Sequence, residues 1–288
     1  MRSSAHEKQA NETALRIKRQ LTADEWMKGY TPIGIILGTG WGDALVSSNQ
    51  RSISLSELPG FRFRNHIPGH ARNLELGRLA GRNVAILRGR IHLNEAPDDS
   101  ELPKMVRLQT EMLIAFGVRT LIVTNGAGSL TPRRPDGEPS GLHAAPIGSI
   151  CIIAGFVTTH APPMPLWAGE FCSPEDILDP GLQRIAHEQR GPLTVTSGGY
   201  AMVRGPFFEG RKYDKPNLAR DGATVVGMST LPEACVASLY AKEGVRMLGL
   251  SFVTNNDTDL HSHEANLAQA RAAGAQLSDY LTRIVTAL

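Results

Sequence analysis

Long apolar runs, paired cysteines and an excess of charge of one sign are all missing from this sequence of 288 residues. Its apolar stretches, such as Pro32–Leu37 and Thr120–Val123, are far shorter than the roughly 20 residues that a membrane-spanning helix needs. The three cysteines, Cys151, Cys172 and Cys235, are odd in number and form no C-x-x-C pair. We therefore expect no membrane partner, no disulfide framework and no bound metal.

The charge balance argues against nucleic acid as a partner. Lysine and arginine number 30 against 28 aspartates and glutamates, which gives a net charge of +2 with the two signs interspersed. A basic stripe of the kind that follows a phosphate backbone is not present in the sequence. Residues 1–28 are polar and lack the apolar core of a secretion signal, so they predict an amphipathic N-terminal helix and a cytoplasmic protein.

Short β-branched runs alternate with longer helical stretches, which is the pattern of an α/β protein. Strands are predicted at Ile33–Leu37, Val84–Leu87, Thr120–Thr124, Ser149–Ile153, Thr194–Val203, Thr224–Gly227 and Met247–Thr254. Helices are predicted at Lys104–Phe116, Ser173–His187, Leu231–Lys242 and His263–Leu288. Strand patterning resumes after each Pro- and Gly-rich stretch, so these stretches are predicted to be loops and not domain linkers. A single α/β domain over residues 1–288 is the simplest interpretation.

A cluster of glycines, Gly38-Thr39-Gly40-Trp41-Gly42, follows the first predicted strand. Glycines allow backbone N–H groups to approach an anion, and the hydroxyl of Thr39 adds a donor. The spacing differs from the G-x-G-x-x-G of a dinucleotide site, and the Gly-Lys-Ser/Thr of a P-loop is absent from the sequence. Taken alone, the cluster predicts either an anion-binding loop or a tight turn between a strand and a helix.

Arg90 and His92 follow the second predicted strand, in Arg88-Gly89-Arg90-Ile91-His92. On an extended chain, side chains two residues apart point to the same face, so Arg90 and His92 can converge on one anion. The alternative is a solvated strand end. Upstream, the turn Ile67-Pro68-Gly69-His70 presents a further histidine.

Seven motifs follow one another along the chain: Gly38-Thr39-Gly40, Pro68-Gly69-His70, Gly89-Arg90-Ile91-His92, Thr124-Asn125-Gly126-Ala127-Gly128, Gly205-Pro206-Phe207-Phe208-Glu209, Gly227-Met228-Ser229-Thr230-Leu231-Pro232-Glu233 and Thr254-Asn255. Their order and approximate spacing resemble those of the trimeric purine nucleoside phosphorylases, a family that includes the 5′-methylthioadenosine phosphorylases. The resemblance extends from about Ile33 to the C-terminus, and the Gly-Met-Ser-Thr-x-Pro-Glu stretch is its most specific part. It implies a mixed, strongly twisted central sheet flanked by helices.

The resemblance also implies roles for individual residues. Phosphate would be bound by Thr39, His70, Arg90, His92, the backbone of Gly126, and Ser229. The purine would be bound by Phe208 stacking on the ring, Glu209 at the N1–H edge, and Asn255 facing N7 and O6. Met228 would lie under the ribose, His263 would reach its 5′-hydroxyl, and Asn94 would face the ribose where the family usually has a tyrosine. Asn255, Glu209 and His92 would carry the catalysis.

The implied reaction is the phosphorolysis of purine nucleosides such as inosine and guanosine to a free base and ribose 1-phosphate. Such a glycosyltransferase (a pentosyltransferase) stabilises charge at both ends of the glycosidic bond with positioned donors. No metal or organic cofactor is therefore expected, and inorganic phosphate is a co-substrate. A role in purine salvage and a homotrimer follow from the family, in which an aromatic residue aligned with Trp167 is lent to the neighbouring subunit's site.

Two alternatives stay open at this point. Asp257 stands two residues after Asn255, where the methylthioadenosine branch carries an aspartate that can accept from an adenine amino group, so Asp257 is a further candidate purine ligand. Gly210 and Asn94 depart from the family pattern, which leaves a nucleoside-binding homologue with altered catalysis as the second alternative. The histidines outside the motifs are predicted to be structural or solvent-facing: His6, His66, His143, His160, His187 and His261.

Overall fold

The computed structural model describes residues 2–21, 32–41, 45, 47–63, 71–96, 98–133, 136, 138, 145–167, 169–205 and 207–288. Its α-helices are α1 (Ser4–Lys18), α2 (Leu102–Phe116), α3 (Pro180–Glu188), α4 (Asp214–Arg220), α5 (Leu231–Ser238), α6 (His263–Ala272) and α7 (Gly274–Ala287). Its strands are β1 (Ile33–Leu37), β2 (Ser48–Ser54), β3 (Asn73–Leu79), β4 (Arg82–Arg88), β5 (Thr120–Ser129), β6 (Ile150–Val157), β7 (Val195–Met202), β8 (Ala223–Gly227) and β9 (Arg246–Asn255).

In the described part of the chain, these nine strands belong to one mixed sheet with the order β2-β3-β4-β1-β5-β8-β7-β6-β9. β1 runs parallel to β4 and to β5, and β5 runs parallel to β9. β2, β3 and β4 form an antiparallel meander. Because β9 pairs with both β5 and β6, the strands β5, β8, β7, β6 and β9 close on themselves, which requires a strongly twisted sheet. The expectation of an α/β fold with a mixed central sheet is confirmed.

Helices cover both faces of the sheet, and the side chains of β1 illustrate how. Successive side chains of a strand point to opposite faces. Ile36 packs in the apolar cluster that includes α1 and α2, whereas Ile35 and Leu37 pack in the cluster that includes α3 and α7. A strand buried on both faces has to be apolar throughout, and β1 has the sequence Ile-Gly-Ile-Ile-Leu.

The parallel strands β1, β4, β5 and β9 end at the same edge of the sheet. Thr39 follows the end of β1, and Arg90 and His92 follow the end of β4. Gly126 and Asn255 belong to the last residues of β5 and β9. Ligands of open α/β sheets bind at the carboxyl ends of the strands. The topology therefore gathers segments that are far apart in the sequence at one place.

Several element boundaries differ from the predicted ones. The helix predicted at Ser173–His187 begins only at Pro180, because the side chain of Asp179 accepts a hydrogen bond from the N–H of Leu182 (2.8 Å) and caps α3. The helix predicted over His263–Leu288 is two consecutive helices, α6 and α7.

Three elements have no counterpart among the predicted ones: β2, β3 and α4. β2 lies at the edge of the sheet and has the polar sequence Ser-Asn-Gln-Arg-Ser-Ile-Ser, which lacks the pattern of a buried strand. The N-terminal helix predicted over residues 1–28 is observed as α1 and ends at Lys18, and residues 22–31 lie outside the described part.

Within the described ranges, none of the helices is both long enough and apolar enough to cross a membrane. The same residues contain no group of three or more histidine, cysteine, aspartate or glutamate side chains arranged to hold a metal ion. Cys151, Cys172 and Cys235 are free thiols.

Candidate active site

A cavity of about 400 Å³ opens where the parallel strands end. Most of the residues that the motifs identified line it: Thr39, Arg90, His92, Asn94, Gly126, Phe208, Glu209, Met228, Ser229, Asn255 and His263. His70 lies outside the described residues. Motifs that are scattered over most of the chain thus meet in one cavity of the size of a small-molecule site.

One end of the cavity is built from the glycine cluster and β5. The N–H of Gly38 donates to Oγ1 of Thr124 (3.1 Å), and a Cβ at position 38 would lie 2.4 Å from the carbonyl oxygen of Thr124. Only glycine permits this close approach. Trp41 is buried and its indole N–H donates to the carbonyl of Asn125 (2.9 Å), which fixes the turn against the strand.

Arg90 lines the cavity with its charge already compensated. Its side chain is 1% exposed, Nη1 donates to Oε1 of Glu233 (3.0 Å), and Nη2 donates to the carbonyl of Thr124. The sequence predicts a guanidinium fork directed at an anion, whereas the structure joins that fork to a carboxylate of α5. A buried charge has to be paired, and Glu233 supplies the pairing.

Ser229 is held in place by a strained turn and a buried phenol. Thr230, the next residue, has a φ of +72°, which is rare for a β-branched residue, and its Oγ1 accepts from Nδ2 of Asn125 (2.8 Å). The N–H of Ser229 donates to the hydroxyl oxygen of Tyr200 (3.2 Å). Burial raises the pKa of Tyr200 to about 12, so the phenol stays neutral. Strain of this kind is typical of functional sites.

His92 lies beside a buried ion pair of Glu95 and Arg72, which the motifs did not identify. Its backbone N–H donates to Oε1 of Glu95 (2.9 Å), and its Nδ1 lies 3.5 Å from the same oxygen. The other oxygen of Glu95 binds Arg72 at 2.5 Å, and both side chains of this pair are buried. A fixed carboxylate beside Nδ1 orients the ring in the cavity.

Asn94, Met228 and His263 form another part of the cavity lining. Nδ2 of Asn94 lies 3.7 Å from Sδ of Met228, so the asparagine fills part of the space above the thioether. His263 is the first residue of α6, whose N-cap Ser262 accepts from the N–H of Ala265 (3.1 Å). All three residues predicted for the ribose line the cavity, and two of them, Asn94 and Met228, are in contact.

The other end of the cavity contains Phe208, Glu209 and Asn255. Oδ1 of Asn255 accepts from Oγ1 of Thr254 (2.9 Å). Burial raises the pKa of Glu209, and the positive charge of Lys215 acts in the opposite direction. Aromatic, carboxylate and carboxamide groups are those that a flat heterocycle with polar edges requires.

Two residues at this end were not found by the sequence. His261, predicted to be structural or solvent-facing, lies 3.0 Å from Nδ2 of Asn255 through its Nε2 and packs edge-on against Phe208. Lys215 on α4 is buried, and its Nζ lies 3.5 Å from the same Nε2. Burial lowers the pKa of both groups. Neither residue belongs to a motif, so the sequence carried no signal for them.

Two predicted residues lie elsewhere. Asp257 does not line the cavity: its carboxylate accepts from the N–H (3.0 Å) and Oγ1 (2.6 Å) of Thr131 and lies 3.7 Å from Arg133. The role of Asp257 as a purine ligand stays a prediction, and the contacts of its carboxylate in the structure are with Thr131 and Arg133. Trp167 packs in its own chain against His6, with 4.1 Å between ring centroids, and beneath the guanidinium of Arg107.

Comparisons with known proteins identify the family of this chain. Residues 32–288 match the model of the Phosphorylase superfamily. The chain is 30% identical to the purine nucleoside phosphorylase of Bos taurus over 290 residues, covering 92% of this chain and 91% of that protein. It is 30% identical to the purine nucleoside phosphorylase of Mycobacterium tuberculosis over 262 residues, covering 89% and 88%.

Among solved structures, the crystal structure of Schistosoma mansoni purine nucleoside phosphorylase in complex with inosine is similar with a TM-score of 0.76 at 25% sequence identity. That similarity covers 98% of this chain and 96% of the other. The match extends over the sheet and its flanking helices. The chain therefore belongs to the Phosphorylase superfamily and, within it, to the purine nucleoside phosphorylases.

Proposed function

We propose that this protein splits purine nucleosides with inorganic phosphate and releases the free base and ribose 1-phosphate. The observation that carries the proposal is that one cavity is lined both by hydroxyl and imidazole donors and by Phe208, Glu209 and Asn255. A protein that only bound nucleosides would not need a group of anion donors beside the ribose. The relatives from Bos taurus and Mycobacterium tuberculosis, both named purine nucleoside phosphorylases, support the same reaction.

Phosphate in this proposal is bound by Thr39, His92, the backbone of Gly126, and Ser229. Arg90 lines the cavity beside these donors, and its ion pair with Glu233 is close to neutral as a unit, so Arg90 contributes a fixed N–H array more than a free charge. The bound anion lies below C1′ of the nucleoside, where it stabilises the developing ribosyl cation and then attacks it. Preorganised donors of this kind lower the barrier without any reorganisation during the reaction.

The leaving base takes up the electrons of the broken glycosidic bond. Asn255 donates an amide N–H to N7 or O6 of the purine, and this hydrogen bond strengthens as negative charge develops on the ring. Glu209 accepts from N1–H, and Phe208 packs on the ring face. Stabilisation is therefore greater in the transition state than in the bound nucleoside, which is the condition for catalysis.

The preferred nucleosides are inosine and guanosine in this proposal. Their N1 carries a hydrogen that the Glu209 carboxylate accepts, whereas N1 of adenosine is itself an acceptor and would face that carboxylate without a proton between them. Burial raises the pKa of Glu209, and the positive charge of Lys215 opposes that rise and so favours the carboxylate that accepts from N1–H. The case for 5′-methylthioadenosine depended on Asp257, and the engagement of its two oxygens by Thr131 removes that support.

The test is to incubate the protein with inosine, guanosine, adenosine and 5′-methylthioadenosine, each with and without phosphate, and to quantify the free base. We expect phosphate-dependent release, fastest with inosine and guanosine. Release without phosphate would indicate a hydrolase, and faster release from 5′-methylthioadenosine would indicate the alternative substrate. No release from any nucleoside would indicate a binding protein and would refute the proposal.

A variant of the base end sharpens this test. Asn255→Ala removes the donor to the leaving base, and we expect kcat/KM for inosine to fall by about 10²–10³. Asn217→Ala on the exposed side of α4 is the matched control and should leave the rate unchanged. Near-normal phosphorolysis by Asn255→Ala would contradict the role of Asn255. Arg90→Ala should lose activity to a similar extent and also lose stability, because it leaves Glu233 buried without its partner.

We further propose a cytoplasmic homotrimer that acts in purine salvage without a metal or organic cofactor, with Trp167 close to a neighbouring subunit's site. Phe171, four residues after Trp167, is 93% exposed, and a large apolar side chain so exposed supports a covered surface in an assembly. Light scattering should give three times the chain mass, and activity should survive dialysis against a chelator. A monomeric mass with full activity would refute the trimer.

A further inference from the structure

His261 connects two asparagines of the cavity, although it belongs to none of the motifs. Its Nε2 lies 3.0 Å from Nδ2 of Asn255, and its Nδ1 lies 3.2 Å from Nδ2 of Asn266. Phe208 packs edge-on against the ring, with 4.6 Å between the centroids. Asn255, Asn266 and Phe208 all line the cavity. One imidazole therefore contacts the end of β9, the first turn of α6 and the aromatic residue of the base end.

The proton on this imidazole decides how the two carboxamides are oriented. A neutral imidazole has one N–H and one lone pair, so it accepts from one carboxamide and donates to the other. Oγ1 of Thr254 has two acceptors within reach, the carbonyl of Ala127 at 3.3 Å and Oδ1 of Asn255 at 2.9 Å, and donation over the shorter distance turns Nδ2 of Asn255 toward His261. Nε2 is then the acceptor and Nδ1 carries the proton, so the carboxamide of Asn266, whose Nδ2 lies 3.2 Å from Nδ1, has to turn its oxygen to that nitrogen.

On the basis of the proposed phosphorolysis, we propose that His261 is a positioning residue whose neutral, Nδ1-protonated ring keeps an amide N–H of Asn255 directed at N7 or O6 of the purine. Nδ2 of Asn255 has two hydrogens. One is used by Nε2 of His261, which leaves the other for the cavity. A hydrogen-bond donor at this position can bind N7 and O6 of a 6-oxopurine, both of which are acceptors. The amino group of adenine is itself a donor and would face it unfavourably, so His261 also contributes to the choice of base.

Protonation of His261 would reverse the arrangement. An imidazolium donates from both nitrogens, so Asn255 would have to present Oδ1 to Nε2 and would lose the hydrogen bond from Thr254. The amide nitrogen would then leave the position in which it faces the base. Nδ2 is also packed against β5, where a Cβ at Gly128 would lie 2.8 Å from it, so the amide has little room for intermediate orientations.

The surrounding charges favour the neutral ring. The titratable groups on the segments around His261 are Glu209, Arg211, Asp214, Lys215, Asp257, Asp259, His263 and Glu264. Burial lowers the pKa of His261, and the positive charges of Lys215 and Arg211 lower it further. The carboxylate of Asp257 is bound by Thr131. Lys215 is thus a buried cation whose position beside Nε2 disfavours the imidazolium.

Nuclear magnetic resonance of the full-length protein with labelled histidine tests the tautomer directly. We expect His261 to be neutral near pH 7 with its proton on Nδ1 and to titrate below its ordinary value of 6.5. Lys215→Met, which keeps the buried volume and removes the charge, should raise the pKa of His261. A ring protonated on Nε2 at neutral pH, or a pKa that Lys215→Met leaves unchanged, would overturn the proposal.

Kinetics test the consequence for the reaction. His261→Phe keeps a flat ring without nitrogen atoms, and we expect about a tenfold or greater loss of kcat/KM for inosine, corresponding to one hydrogen bond, with the phosphate KM unchanged. The ratio of inosine to adenosine turnover should fall as well. His261→Gln should restore most of the rate, because a carboxamide oxygen can accept in place of Nε2. Lys215→Met should raise the pKa of His261 and so move the acidic limb of the pH profile of kcat/KM for inosine to higher pH.

Matched controls separate positioning from folding and from the proposed reaction. His187→Gln alters a histidine on α3 that lies 2.7 Å from Oγ of Ser197, far from the motifs in sequence, and should change neither rate nor base preference. A His261→Phe variant with the inosine to adenosine ratio of the wild type would refute the positioning role. Absence of phosphate-dependent base release by the wild type would refute the proposed function itself, and the tautomer measurement would still decide the orientation of Asn255.

Discussion

Replacing Glu170 with glutamine removes the charge on which a buried ion network depends. The side chains of Glu170 and Arg107 are 1% and 0% exposed. The two oxygens of Glu170 accept from Nη1 (2.5 Å) and Nη2 (2.9 Å) of Arg107 and from the backbone N–H groups of Trp167 (2.9 Å) and Ser3 (2.8 Å). One carboxylate thus ties the segment that carries Trp167 to α2 and to the start of α1.

The contribution of this carboxylate to stability follows from its pKa. Burial alone would raise the pKa of Glu170, but the hydrogen bonds from Arg107, Trp167 and Ser3 outweigh burial and lower it from 4.5 to about 2. The difference corresponds to about 3 kcal/mol of stability at neutral pH. Because the pKa is lowered in the folded protein, this contribution is complete above the unfolded value and is lost as the pH falls from 4.5 toward 2.

Urea denaturation at a fixed protein concentration measures the effect. We expect Glu170→Gln to lower the free energy of unfolding by about 3 kcal/mol near pH 7, and by about 2 kcal/mol near pH 3.5, where part of the wild-type contribution is already lost. Glu188→Gln is the control, because its ion pair with Arg184 is exposed and should contribute less than about 0.5 kcal/mol. A loss below about 1 kcal/mol, or an equal loss at both pH values, would refute the reasoning.

Three further predictions concern the cavity walls and the thiols. Tyr200→Phe removes the acceptor for the N–H of Ser229, so the KM for phosphate should rise by about tenfold, and an unchanged KM would contradict the contact. Gly38→Ala brings a Cβ to 2.4 Å from a carbonyl of β5, so the unfolding free energy should fall by about 2 kcal/mol or more in urea denaturation. The thiol of Cys235 on α5 donates a hydrogen bond to Cys172 and lowers the pKa of Cys172 to about 6. Burial raises the pKa of Cys151 to about 11. Iodoacetamide near pH 7 should therefore label Cys172 long before Cys151, and equal rates measured by mass spectrometry would contradict this.

The sequence predicted elements whose signal is local. β1 is apolar throughout because it is buried on both faces, and its observed bounds, Ile33–Leu37, are the predicted ones. The glycine cluster predicted a tight turn after β1. The observed turn lies so close to β5 that the N–H of Gly38 donates to the hydroxyl of Thr124. β2 escaped prediction because an edge strand can be polar on both faces. The break between α6 and α7 was not predicted because a single glycine, Gly274 at the start of α7, is tolerated inside a helical pattern and does not by itself indicate a helix end.

By itself, the sequence determined most of the chemical groups that line the cavity, because the motifs carry their donors in short runs of adjacent residues. Only the tertiary structure decided how those groups are paired. Arg90 and Glu233 are 143 residues apart in the chain, and Asp257 binds Thr131 across 126 residues. His261 acquires its contacts from the way α6 and the end of β9 meet beside the cavity. Such pairings depend on the path of the whole chain, so a local sequence pattern does not indicate them.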